Sequence, residues 1–316
     1  MFSRFDPGYG PLVPQLPSDL PEAVPAEVAA AFQAHPGLLE TCGKPLQATA
    51  SRGLSNRVFR LEAERGTFYL RLPLKQQAVR VDRVAEAHNL ALAARLCLAV
   101  PPLYCDVEDA ILLTRAVAVA DPPPPTLPER LGTALGKLHA SAEPFKGELD
   151  PGAVNREQLS RLPQEGVLSA EWQDLARALS ALETQECEQT ALLVPSHGDV
   201  SPGNCLLSAD GFWLIDWEFS AMAPPAWDLA YAILEHDFCE RSEMVFMESY
   251  CAEGAGHLRP STRELDVMKA RCDAVSAFWA LEQLVAGRDE TVFLPFARER
   301  RDRLLCRVKR VFGHFD

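Results

Sequence analysis

Two short apolar runs, Cys205 to Ser208 and Phe212 to Ile215, are joined by Ala209-Asp210-Gly211. Asp-Gly between strand-like runs is a strong hairpin signal, because the turn needs backbone conformations that Gly and Asp tolerate. A hairpin here sets the outer ends of the two runs side by side. Asn204 precedes the first run and Asp216 follows the second, so residues twelve positions apart become neighbours. Just upstream, His197-Gly198-Asp199-Val200-Ser201-Pro202-Gly203-Asn204 places a second carboxylate, Asp199, five positions before Asn204. Asp216 ends an apolar strand and so sits at the rim of a core. A buried charge without a partner is costly, so Asp216 is expected to meet a partner or a metal.

Phosphoryl transfer from a nucleotide uses this set of groups: one carboxylate for the hydroxyl proton, and an Asn with a second carboxylate for magnesium. The spacing matches the loop H-x-D-x-x-x-x-N with a following metal-binding Asp. Asp199 is the candidate to accept or orient the substrate proton. Asn204 and Asp216 are the candidate Mg²⁺ ligands, since magnesium is a hard cation that prefers oxygen. His197, the other candidate catalytic residue, is expected to brace the loop rather than take the proton. Gly203, beside Pro202, is expected to allow a tight backbone path.

The length, 316 residues, is enough for two cores. A net charge of −13 makes nucleic acid a poor partner and a cation a better electrostatic match. Nine cysteines without a C-x-x-C pair argue against a zinc site and for reduced thiols. The segment Met1 to Gly10 lacks a secretory pattern, and no apolar run approaches the length of a membrane span. A cytoplasmic enzyme without membrane or nucleic-acid partners is expected.

Along the chain, prolines at 7, 11, 14, 17, 21 and 25 predict an extended arm, followed by a short helix, Ala26 to Ala34, stopped by His35-Pro36-Gly37. Strands are predicted at Leu46–Ala50, Arg57–Ala63 and Thr67–Leu72, then a helix at Asp82–Leu98 capped by Asp82, then strands at Leu103–Val107 and Ala110–Thr114. Asp121-Pro122-Pro123-Pro124-Pro125 reads as a stiff linker. Helices are expected beyond it at Leu127–Ala140, Asn155–Leu162 and Ser169–Cys187. Past the hairpin come Pro225–Glu235, Arg241–Ala252, Pro260–Ala286 and Leu294–Phe312. The division expected is an arm and short helix at 1–40, a nucleotide-binding lobe at 41–118 and a helical catalytic lobe at 119–316.

The catalytic segment, with Ile215-Asp216-Trp217-Glu218-Phe219, resembles the choline/ethanolamine kinase family within the aminoglycoside-phosphotransferase and kinase-like superfamily. Gly53-Leu54-Ser55-Asn56-Arg57-Val58-Phe59-Arg60-Leu61 is similar to that family's nucleotide loop. Tyr69-Leu70-Arg71-Leu72-Pro73 is similar to its third strand, Asp82 to Asn89 to its pairing helix, and Trp227-Asp228-Leu229-Ala230 to the stretch after its metal-binding Asp.

The resemblance implies a bilobal, protein-kinase-like α+β fold: a small N-terminal β-sheet lobe with one helix, then a larger, mainly helical lobe. It implies ATP and Mg²⁺ as cofactors, with the nucleotide between the lobes. Gly53, Ser55 and Asn56 would hold the nucleotide, Arg71 would reach its phosphates and pair with Glu86, and Thr114 to Ala118 would form the hinge. The implied acceptor is a small cationic or amine-bearing alcohol, with choline or ethanolamine first and thiamine or an aminoglycoside as alternatives. Aromatic faces and acids hold such cations, which makes Trp217, Glu218, Trp227, Asp228 and Trp279 the candidate substrate residues, with Tyr231, Glu235 and Glu282 beside them. Ala221-Met222-Ala223-Pro224-Pro225 departs from the family's usual polar residues at that point. A nucleotide-binding regulator without turnover is the alternative of another class.

Overall fold

A computed structural model of the chain describes residues 23–51, 57–73, 81–120, 125–161, 167–184, 192–208 and 211–312. The described residues pack as two compact units. The first holds residues up to 87 and 100–118, and the second holds 88–99 and 119 onward.

The first unit opens with helices α1 (Ala26–Ala34) and α2 (Pro36–Cys42). Strands β1 (Pro45–Ser51), β2 (Arg57–Ala63) and β3 (Gly66–Leu72) follow, and the chain returns to this unit as β4 (Pro102–Asp106) and β5 (Ile111–Arg115). They form one antiparallel sheet in the order β1-β2-β3-β5-β4. Alternation decides its faces. Phe59, Leu61 and Ala63 on β2, with Phe68, Leu70 and Leu72 on β3, are buried with Val28, Phe32 and Leu38 of the two helices. Each buried Phe, Leu or Val among them contributes roughly 1.5–3 kcal/mol. Arg71, between two inward residues, therefore projects from the opposite face.

Helix α1 ends at Ala34 as the sequence predicts, but a second helix that the sequence did not reveal starts at Pro36. Proline is tolerated at the first position of α2, where its missing N–H has no helical partner anyway. Helix α3 (Arg83–Arg95) starts as expected, with the Asp82 carboxylate accepting from the amides of Val84 and Ala85, each at 3.0 Å. It ends before the predicted Leu98, where Cys97 takes a positive φ of 58°.

The second unit is mainly helical. Helices α4 (Leu127–His139), α5 (Pro151–Arg161) and α6 (Val167–Thr184) lead to strand β6 (Val194–Ser196). Strands β7 (Cys205–Leu207) and β8 (Phe212–Leu214) form the predicted hairpin, and β9 (Ala221–Ala223) pairs back onto β6. Then come α7 (Ala226–Glu235), α8 (Glu240–Ala252), α9 (Thr262–Val285) and α10 (Glu290–Phe312).

Ser261 and Glu264 close a reciprocal capping box at the start of α9. The apolar faces of α6, α9 and α10 share a core around Trp172, Leu175, Phe278, Leu281 and Leu304. Helix α5 begins four residues before the predicted Asn155: Pro151 occupies its first turn, and the Asp150 carboxylate accepts from the Gly152 amide at 2.8 Å. Helix α10 likewise begins ahead of Leu294 and carries Pro295 in its second turn. A proline so near the start removes only one intrahelical bond. Among the described residues, no helix is long and apolar enough to cross a membrane.

Candidate active site

The hairpin brings Asn204 and Asp216 together. Cys205 pairs with Leu214, and the Ile215 amide donates to the Asn204 carbonyl at 3.0 Å, so the ladder runs to the ends that carry these two residues. Asp216 has a left-handed backbone, φ 63° and ψ 68°, which breaks the strand and starts the turn Trp217–Phe219. Asp is among the few residues with a side chain that adopt this conformation readily.

Asn204 is oriented by its amide nitrogen, which donates to the Asp199 carbonyl at 3.0 Å and to Asp199 Oδ2 at 2.9 Å. With the nitrogen committed, the carboxamide oxygen is the atom left for a cation. An amide oxygen and a carboxylate at adjoining strand ends fit magnesium, which takes few protein ligands and completes its shell with phosphate and water.

Asp199 is half-buried. Burial pushes its carboxyl above the usual range, against the lowering effects of His197, Ser201 and Asn204. A base poised closer to neutral pH suits proton transfer from an alcohol.

His197 is buried, with both ring nitrogens in use. Nε2–H donates to the Ile215 carbonyl at 3.0 Å, and Nδ1 accepts from the Asp199 amide at 3.3 Å. That pattern requires the neutral tautomer. Burial favours the same state, holding the imidazole below its ordinary pKa despite Asp228 and Asp199 nearby. The ring also meets Trp217 edge-on, with centroids 4.5 Å apart.

The loop rests on Asp228. Its Oδ2 accepts from the His197 amide at 2.7 Å and its Oδ1 from the Gly198 amide at 2.9 Å. His139, at the end of α4, lies 3.3 Å from Oδ2 and bonds Tyr250 on its other side at 3.0 Å. Complete burial opposes the charge on Asp228, yet the histidines and the amides outweigh it and keep the carboxyl below its ordinary value. Trp227 adds a second tie, its indole N–H donating to the Gly198 carbonyl at 3.0 Å.

Gly198 has φ +89°, and a Cβ there would lie 2.3 Å from the Phe219 carbonyl oxygen. The tight backbone path therefore falls at Gly198. A Cβ on Gly203 would meet nothing within 4 Å.

The remaining candidates divide by neighbourhood. Trp217 is buried and donates to the Leu214 carbonyl at 3.0 Å. Glu218 is buried close enough to Asp199 to raise its carboxyl further. Trp279 packs edge-on against Phe293 and Phe296 of α10. In the first unit, Arg71 grips Glu86 with both ends of its guanidinium, one bond measuring 2.9 Å, and Arg83 adds another at 2.7 Å. Burial disfavours the Glu86 charge, but the two arginines prevail and depress its pKa. Gly53, Ser55 and Asn56 lie outside the described residues, as does most of the proline linker.

His139 was not singled out in the sequence. Its signal was a histidine closing an apolar helical face. Asn89 was quoted only within the pairing-helix resemblance. It is fully buried, donating to the carbonyls of Ser220 at 2.9 Å and Lys146 at 3.1 Å and accepting from the Lys146 amide at 2.8 Å. It ties the turn after Asp216 to α3.

The phosphotransferase enzyme family matches residues 47–265. Protein LicA of Haemophilus influenzae is 27% identical over 240 residues, spanning 68% of this chain and 69% of LicA. A choline/ethanolamine kinase family protein from Mesorhizobium loti superposes with TM-score 0.68 at 26% identity, covering 90% of this chain and 98% of its own. Choline kinase LicA from Streptococcus pneumoniae superposes with TM-score 0.71 at 22% identity, covering 84% and 94%. The fold is that of the kinase-like phosphotransferases, and the chain belongs to the phosphotransferase enzyme family.

Proposed function

We propose that this protein transfers the terminal phosphoryl group of ATP to the hydroxyl of a small amine-bearing alcohol of the choline or ethanolamine type. The observation that carries the reading is the Asn204 amide, pinned through nitrogen to Asp199 at a strand end that the Ile215–Asn204 backbone bond sets next to that of Asp216. Asp199 accepts or orients the acceptor's proton. Asn204 and Asp216 hold magnesium, which when bound neutralises charge on the triphosphate. Arg71, fixed by Glu86, engages the nucleotide phosphates through its fork of donors. Asp228, Trp227 and Trp217 serve the acceptor by holding the loop from beneath, and Glu218 supplies negative charge beside it. The similarity to choline and ethanolamine kinases, together with the acidic surroundings of Asp199, supports a cationic acceptor.

Two variants test the reading. Asp199→Asn should keep nucleotide binding and lower turnover by at least about 10²-fold. Asp216→Asn should remove the magnesium dependence of ATP affinity, measured by calorimetry. Near-parental ADP release by the Asp199 variant, across ethanolamine, choline, thiamine and an aminoglycoside, would take that residue out of the mechanism. ATP binding by the parent without consumption on any of these alcohols would favour the silent regulator.

A further inference from the structure

Helix α7 turns one face toward the catalytic loop. Asp228 sits under His197 and Gly198, and helical spacing places Tyr231 and then Glu235 on the same side, one and two turns on. Tyr231 stacks on Trp227, with centroids 6.0 Å apart at 29°. Both Tyr231 and Glu235 are half-buried, and both feel the charge of Asp199.

Glu235 is held from two further helices. The Ser276 hydroxyl of α9 donates to its Oε1 at 3.2 Å, and Arg300 of α10 approaches the same oxygen at 3.2 Å. Both donors converge on Oε1, which leaves Oε2 for another donor. Arg300 is itself buried. Its other terminal nitrogen is 3.5 Å from Asp273, and its guanidinium lies 4.8 Å from the Phe296 ring centroid. Ser276 and Arg300 both lie beyond residue 265, where the family match ends.

We propose that Arg300 is a positioning residue of the acceptor site: by anchoring Oε1 of Glu235 it presents Oε2 to the cationic end of the amine-bearing alcohol. This rests on the acceptor reading above and adds to it a residue outside the family-matched stretch. Burial pushes the Glu235 carboxyl upward, Asp199 pushes it the same way, and Arg300 is the largest opposing influence. The groups facing Glu235 are Tyr231 on its own helix, Asp199 on the loop, Cys272 and Ser276 on α9, and Arg300 and Arg303 on α10, with Asp273 of α9 on the far side of Arg300. Of the cations, Arg300 makes the direct contact, while Arg303 pairs with Asp273 at 3.3 Å and Glu299 at 3.6 Å. Without Arg300 the carboxyl holds its proton to higher pH, and a neutral acid attracts an ammonium group poorly.

The test uses the full chain as parent, Arg300→Met and Arg300→Lys. Asp273 keeps Arg303 and Arg307 in either variant. Ethanolamine and choline binding are measured by calorimetry between about pH 6 and about pH 8.5, and phosphoryl transfer is followed in parallel. Arg300→Met should weaken binding and raise KM by about tenfold or more, the scale of one hydrogen bond to a charged group, with kcat within about twofold. The acid limb of the affinity profile should move to higher pH, and Arg300→Lys should recover most of both effects. A variant that lowers kcat or melting temperature but leaves KM and its pH profile at parental values overturns the proposal. So does a parent that phosphorylates other alcohols and binds neither amine, which leaves the phosphotransferase reading standing. A parent that binds amine without transferring phosphate fails the acceptor reading, while the calorimetric profile of Arg300→Met still decides the role of Arg300.

Discussion

Asp228 shows how much of the site depends on one carboxylate that faces no solvent. It accepts from two consecutive loop amides and a histidine, and each of those donors would be orphaned by its loss. Removing one partner of a buried charged network typically costs about 3–5 kcal/mol. Asp228→Asn, which keeps the shape but forces an N–H toward a backbone N–H, is expected to lose about that much in urea unfolding and to lower kcat with it. A parental midpoint and parental kcat would show that the loop is held by other means. His236 offers a second test. Burial holds its pKa down to about 4 from an ordinary 6.5, so the unfolded chain takes up the proton first. Its contribution is complete above pH 6.5 and is lost as pH falls toward 4. His236→Gln should flatten stability across that window relative to the parent, as read by urea midpoints at several pH values.

At the level of elements, α4 and α8 approach closely enough that only glycine fits between them. A Cβ on Gly132 would lie 2.2 Å from the Phe246 carbonyl oxygen, and one on Gly136 2.5 Å from that of Tyr250. Both contacts are to backbone, so no rotamer change relieves them. Gly132→Ala should force the helices apart and cost about 1–3 kcal/mol, despite alanine's better helix propensity. A stabilised variant in thermal melts would mean that the pair slides freely.

The elements also show where the sequence was legible. The antiparallel pairing of β7 with β8, which sets Asn204 and Asp216 at adjoining ends, could be read because a turn signal between two short apolar runs is local. The pairing of Arg71 with Glu86 followed from a resemblance and is present. Strands β6 and β9 were not visible, because three residues carry no periodicity and their central pair, Pro195 with Met222, lies 27 positions apart. Helix α2 was hidden because Pro36-Gly37 reads as a stop. Its glycine instead makes room for the Tyr104 ring, 2.6 Å from where a Cβ would stand. The bracing tasks of Trp217, Trp227 and Asp228 were illegible for a different reason. Residue type suggested an aromatic and acidic substrate wall, while hydrogen-bond direction exists only in three dimensions.

For the whole molecule, the net charge of −13 becomes a statement about kinetics once the acceptor is taken as a cation. A negative protein draws a cation toward it, and added salt screens that attraction with a Debye length near 10 Å at 0.1 M. KM for a cationic alcohol should therefore rise severalfold between about 0.05 and about 0.5 M salt, while that for an uncharged alcohol stays level. Equal responses would assign the acidic surface to solubility alone.

The left-handed turn at Asp216 narrows what can ever replace that residue. Under the magnesium role proposed above, the position asks for a side chain that can ligate and a backbone that can bend the disfavoured way, and few amino acids offer both. Glutamate keeps the charge but resists the bend, and glycine bends but carries no oxygen. Drift at this position is therefore confined by conformation as well as by chemistry. Asparagine is the replacement that tests one without disturbing the other.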